Sequence, residues 1–175
     1  MDVIARARRW VERVVIGLDL CPFAAAPQRA GRVRYTVSDA GGDAYAILAA
    51  VWAEVERLQA NPAIETTLLI LPTGWDDFDD YLDLIAAAED LLVRMESEGD
   101  IQLASFHPDY RFAEVAADDP SNATNRSPHP MIHLLRASSV AAAVDHHPDV
   151  AGIPARNIAM LRSLGAAGLQ VRLEE

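Results

Sequence analysis

The chain carries a single cysteine, Cys21, and five histidines. A cysteine acts as a nucleophile through its thiolate, which needs a nearby histidine or arginine to favour the charged form. With no second cysteine there is no intrachain disulfide and no resolving thiol, and Cys₄ or Cys₂His₂ zinc sites are excluded within one chain. The plainer alternative is that Cys21, between an apolar helical pattern and Pro22, is a small buried hydrophobe. His107 closes an apolar run that reads as a strand, and α/β sheets place ligands beyond the carboxyl ends of their strands. A loop histidine bonded to backbone is its alternative. His129 and His133 are four residues apart. On a helix both would face one metal, with Arg136 on the same face; on a strand only His133 aligns with Met131 and Leu135. Pro128, Pro130 and the apolar run favour the strand, which leaves His133 as the candidate.

Arg126 and Arg136 are suited to bidentate recognition of a carboxylate or phosphate. Asn122 and Asn125 flank Arg126 and could complete an anion-binding loop; alternatively Arg126 pins that loop through backbone carbonyls or Asp118 and Asp119. The candidate set is therefore Cys21, His107 and His133 for chemistry, and Arg126, Arg136, Asn125 and Tyr110 for an anionic small molecule. A metal held by His107, His133 and Asp119 or Cys21 is conceivable, but no compact ligand motif supports it, so no metal residues are assigned. Three functions fit this set. They are a small-molecule enzyme with a Cys/His/Arg pocket, a zinc- or iron-dependent enzyme at the same place, and a non-catalytic binding or assembly protein. The sequence names no cofactor.

All fifteen basic residues are arginine. Without lysine, Schiff-base chemistry, pyridoxal-phosphate anchoring and the P-loop are excluded. The net charge of −11 disfavours nucleic-acid partners. Charge is uneven: residues 76–100 hold ten acids and one base, whereas residues 1–34 hold seven arginines and three acids. This is either a solvated acidic helix face or a docking surface for the basic N-terminus of another subunit, which makes a homodimer a candidate assembly. No long apolar stretch reads as a signal or membrane span, so a cytoplasmic protein without membrane partners is expected.

The elements that must position these residues follow from periodicity. At 51% hydrophobic and 23% charged, 175 residues suit one globular domain, 1–175. Residues 2–18 carry an apolar stripe at three- and four-residue steps and read as a helix stopped by Cys21-Pro22-Phe23. Val33–Val37 alternates as a strand. Gly41-Gly42-Asp43 can cap a helix whose Ile47, Val51, Val55 and Leu58 share a face, and Asn61-Pro62 stops it. Residues 64–71 are almost continuously apolar and short, as in a strand buried on both faces. A helix is expected from about Asp77 to Glu96 with Phe78, Leu82, Ile85, Leu92 and Met95 inward. Ile101–Phe106 is a third strand. Residues 107–130 show no period and contain four prolines, a long loop of the kind that is usually functional. Residues 131–135 suit a fourth strand antiparallel to the third, Ser138 or Ser139 can cap a helix to about His146, and Pro154 suits the first turn of a last helix ending at Gly165. The order predicts a single-domain α/β fold: a mixed sheet of about four strands with helices on its faces and a long proline-rich loop between strands 3 and 4.

Several motifs in combination are more specific than any one residue. Leu20-Cys21-Pro22-Phe23, Glu65-Thr66-Thr67-Leu68, residues 102–110 (QLASFHPDY), Asn125-Arg126-Ser127-Pro128, His133-Leu134-Leu135-Arg136 and Ile153-Pro154-Ala155-Arg156-Asn157 together resemble the bacterial domain-of-unknown-function family 1415. The resemblance covers nearly the whole chain and implies no particular activity. It places His107 and His133 at motif positions, His129 where the family often has an aromatic residue, and His146 and His147 in a variable stretch. Asp19 stands where the family more often reads asparagine.

Overall fold

The computed structural model describes residues 2–174. Its centre is a four-stranded sheet in the order β1-β2-β4-β3, with β1 Val33–Val37, β2 Thr66–Ile70, β3 Ile101–Phe106 and β4 Met131–Arg136. β1 runs parallel to β2, whereas β4 is antiparallel to both β2 and β3. The mixed α/β sheet expected from the sequence is therefore present, with the fourth strand inserted between the second and third. That insertion accounts for the apolar run of β4: a central strand is covered on both faces.

Side-chain alternation divides the core in two. On one face Leu69, Ile101, Ile132 and Leu134 meet α3 (Ala44–Ala60) and α4 (Phe78–Arg94). On the other, Tyr35, Leu68, Ile70 and Met131 meet α1 (Val3–Trp10), the turn of π-helix that follows it (Val11–Ile16) and α6 (Ile153–Glu174). Two short helices complete the set, α2 (Ala25–Arg29) and α5 (Ala137–His146). β2, buried at every residue, is the strand both layers share.

Local chemistry sets the boundaries. Asp43 caps α3 by accepting from the Ala46 amide, and Asp77 caps α4 by accepting from the amides of Asp79 and Asp80. Gly74 has a φ of +87°, and a Cβ there would meet the backbone of Gly41 and Gly42, so the loops after β1 and β2 touch at a point only glycine allows.

Three details depart from periodicity. The first helix changes to π-form at Val11, which widens the turn and carries the chain to Asp19, whose φ of 52° is left-handed. Asparagine and aspartate are the non-glycine residues that tolerate this conformation best, which accounts for Asp19 here. In α4 Leu82 faces solvent and Tyr81 takes the inward place, because the buried row runs through Phe78, Tyr81, Ile85, Ala88 and Leu92. The last helix kinks at Gly165 (φ 66°, ψ 174°) and resumes rather than ending there.

Candidate functional site

His107 follows β3 and is fully buried. Its Nδ1 accepts from the Asp109 amide at 3.0 Å, so the ring proton is on Nε2, which donates to the Trp75 carbonyl at 2.9 Å. The ring packs on Phe78 and Tyr81. Both nitrogens are thus committed to backbone, and the imidazole ties the strand end to the loop that precedes α4. Beside it the Tyr81 hydroxyl donates to the Met131 carbonyl at 2.7 Å and accepts from the Phe106 amide at 3.1 Å. Burial pushes that phenol far above its ordinary range.

The 107–130 segment is ordered by polar side chains spent on its own backbone. Arg126 donates from Nε to the Tyr110 carbonyl at 3.0 Å and from Nη2 to Ala117 at 2.6 Å. Asn122, fully buried, accepts from the Phe112 amide at 3.0 Å and donates to the Ala116 carbonyl at 2.8 Å. Asn125 donates to Ser105 at 3.1 Å. Asp119 caps the 3₁₀ turn Pro120–Thr124 and pairs with Arg162 of α6 at 2.8 Å, and that guanidinium holds its carboxyl well below the usual range. Tyr110 packs edge-on against Phe78 and Phe112.

His133 lies on the opposite sheet face from His107's aromatic neighbours, its ring tilted against Phe106 with centroids 5.7 Å apart. Its Nε2 is 2.6 Å from the Thr66 hydroxyl. Burial lowers its pKa to about 4. Cys21 is on this same face, half-buried at the edge of the α1–α6 layer. Burial raises its thiol pKa, with the Asp19 carboxylate adding to the effect and hydrogen bonds from the Phe23 and Ala24 amides opposing it. The Leu20 carbonyl beside it is held by Asn157 of α6 at 2.8 Å.

Arg136 ends β4 far from Arg126. Its Nε donates to Ile64 at 3.0 Å, and its Nη2 donates to Asn61 at 2.8 Å and to Leu58. It therefore clasps carbonyls of the last turn of α3 and of the segment that leads from it into β2. It also lines an open cleft of about 370 Å³ with Gln59, Asp100, Ile101 and Ser138.

The expected constellation is thus dispersed. His107 belongs with Trp75, Phe78 and Tyr81; Arg126, Asn125 and Tyr110 belong to the long loop. Cys21 and His133 share the other sheet face, and Arg136 sits at the opposite strand end. Among the described residues, no three His, Cys, Asp or Glu side chains group closely enough to hold a metal ion, so the conceivable set of His107, His133 and Asp119 or Cys21 does not assemble. Sequence reasoning missed Thr66, Tyr81 and Glu54. Glu54 is a buried carboxylate on α3 paired with Arg34 at 2.8 Å and with Arg57 at 3.4 Å. Its only sequence signal is an acid in the apolar row of α3, between Val51 and Leu58. Among the described residues no helix is long and apolar enough to cross a membrane.

No curated protein and no solved structure matches the chain. A family model described as "Protein of unknown function (DUF1415)" matches residues 2–171, and the chain belongs to that family.

Proposed function

We propose that this chain is a non-catalytic binding or assembly protein in which the 107–130 segment is a rigid cap over one end of the sheet. The observation that carries this reading is where the polar side chains are spent. His107, Asn125, Arg126 and Arg136 each donate to the chain's own carbonyls, and Asn122 both gives and takes backbone bonds. A group that holds substrate keeps donors free for it; these groups have spent theirs on loops and helix ends.

A small-molecule enzyme acting on an anionic substrate is the second reading, and one observation favours it. Cys21 and His133 lie on one sheet face, and His133 Nδ1 has no partner among the described residues. In that reading His133 assists a Cys21 nucleophile. The test is the rate of Cys21 alkylation by iodoacetamide in the full chain, compared with free cysteine, from pH 6 to 9. The binding reading expects slower modification than free cysteine at neutral pH, because the buried thiol resists ionisation. A faster reaction at pH 7, slowed by His133→Gln, would overturn it in favour of the enzyme.

A further inference from the structure

Two surfaces on opposite sides of the sheet are unpartnered and opposite in charge. The first is the outer side of α1 and the π turn, where Arg6, Arg9 and Arg13 are exposed and form no ion pair among the described residues. Beside them an open groove of about 340 Å³ is lined by Ile4 and Ala5, by Arg8, Arg9 and Arg13, and by the acids Asp2 and Glu12. The second is the outer side of α3 and α4. Both helices follow parallel strands and start at the same end of the sheet, so Tyr45, 87% exposed, stands level with the first turn of α4, and Trp52, 44% exposed, stands about two turns further along. The α4 side of this patch presents the unpaired Asp80, Asp83 and Asp90.

We infer that the α3–α4 face of one copy docks the arginine face of α1 in a second copy, head to tail. Three matches commit the occupant. The charges are complementary and are unsatisfied within the chain. Arg6 and Arg13, like Asp83 and Asp90, are seven residues apart, roughly 10 Å along a helix. Tyr45 is a protruding aromatic with a groove to enter that carries three arginines among its lining, and guanidinium groups stack on tyrosine and tryptophan faces. Aromatic and arginine side chains are the residues that dominate interface energetics. Because the two faces are different surfaces of one protomer, the contact is heterologous: each copy keeps one face free, and the assembly grows into a ring or an open chain.

The inference rests on the assembly reading and is tested separately from it. Two full-length variants are prepared, Arg6→Glu/Arg9→Glu/Arg13→Glu and Asp83→Arg/Asp90→Arg, each checked for wild-type circular dichroism. By sedimentation velocity the wild type gains mass with concentration. Each variant alone sediments as the 19.0 kDa monomer. An equimolar mixture regains association, since the acidic α1 of one variant meets the basic α4 of the other. Tyr45→Ser weakens wild-type association about tenfold. A mixture that stays monomeric, or wild-type association indifferent to both variants, overturns the docking while leaving the assembly reading in place. A wild type monomeric at every concentration also overturns the docking, and the Cys21 alkylation rate then decides the assembly reading on its own.

Discussion

Thr66 and His133 form a directed pair across β2 and β4. The Thr66 hydroxyl is 2.6 Å from the Leu134 carbonyl and 2.6 Å from His133 Nε2. A hydroxyl has one proton, and a carbonyl can only accept. Thr66 therefore donates to Leu134 and accepts from His133, which places a proton on His133 Nε2, and burial keeps the ring neutral at pH 7.

Protonating His133 should cost stability. Its folded pKa of about 4 lies below the unfolded value of about 6.5. A depressed folded value means the contribution is complete above about pH 6.5 and is lost as pH falls from there towards 4. Allowing for the ring's partial exposure, the loss is about 2 kcal/mol. Urea melts at pH 7.0 and 4.5 should show it in the wild type, and His133→Gln, which keeps an N–H donor for Thr66 and cannot ionise, should lose most of that difference. Equal pH dependence in the two proteins would remove His133 as the cause.

Glu54 should be intolerant of losing its partner. It is 6% exposed, with Arg34 on two of its contacts, Thr67 on a third and Arg57 at the margin. Arg34→Met leaves a buried carboxylate with only the longer contacts to Thr67 and Arg57, at an expected cost of about 2–4 kcal/mol. Arg34→Met/Glu54→Leu should recover most of it. Chemical denaturation measures both, and a double variant as unstable as the single one would argue against the uncompensated-charge account.

Arg126 should act on the loop rather than on the sheet. Arg126→Ala removes two charge-assisted bonds to backbone, worth about 1.5–3 kcal/mol each before relaxation. Hydrogen exchange should accelerate across residues 110–125 and change little in β2 and β4. Arg126→Lys should fail to rescue, because one ammonium does not reproduce the forked reach to both Tyr110 and Ala117. Uniform acceleration over the whole chain would contradict the local role.

Gly74→Ala should be among the most damaging single-methyl changes. It adds a Cβ at a φ of +87° and into the backbone of Gly41 and Gly42. Left-handed strain alone costs about 1 kcal/mol, and the clash moves the loop that carries Trp75, whose carbonyl holds His107. Gly99→Ala is the control, since nothing lies near its Cβ. A Tm drop of several degrees is expected for the first and almost none for the second.

Much of the fold was legible in advance. β1 and β3 begin and end at the residues that alternation and apolar runs indicate, and Asp43 and Asp77 cap the helices they precede. Two departures have separate physical causes. Leu82 looks like core because it is leucine, yet Tyr81 is inward because its hydroxyl finds both the Met131 carbonyl and the Phe106 amide. The π turn at Val11 has no signature in apolar spacing, since a single widened turn changes which carbonyl each amide meets while the same residues stay buried.

The sequence by itself determined the order of the strands and main helices, the mixed sheet, most of the inward-facing residues it named and the absence of lysine chemistry, because burial periodicity and composition are local properties of the chain. It also placed the polar residues of the 107–136 region in one stretch. Only the tertiary structure decided what those residues touch. Inserting β4 between β2 and β3 put His133 on one sheet face, while the turn after β3 carried His107 among aromatic rings beside α4. Backbone carbonyls of the long loop then claimed the donors of Arg126, and those around the turn from α3 into β2 claimed the donors of Arg136. The partners of Arg136 lie 72 to 78 residues away along the chain, so no local pattern encodes them.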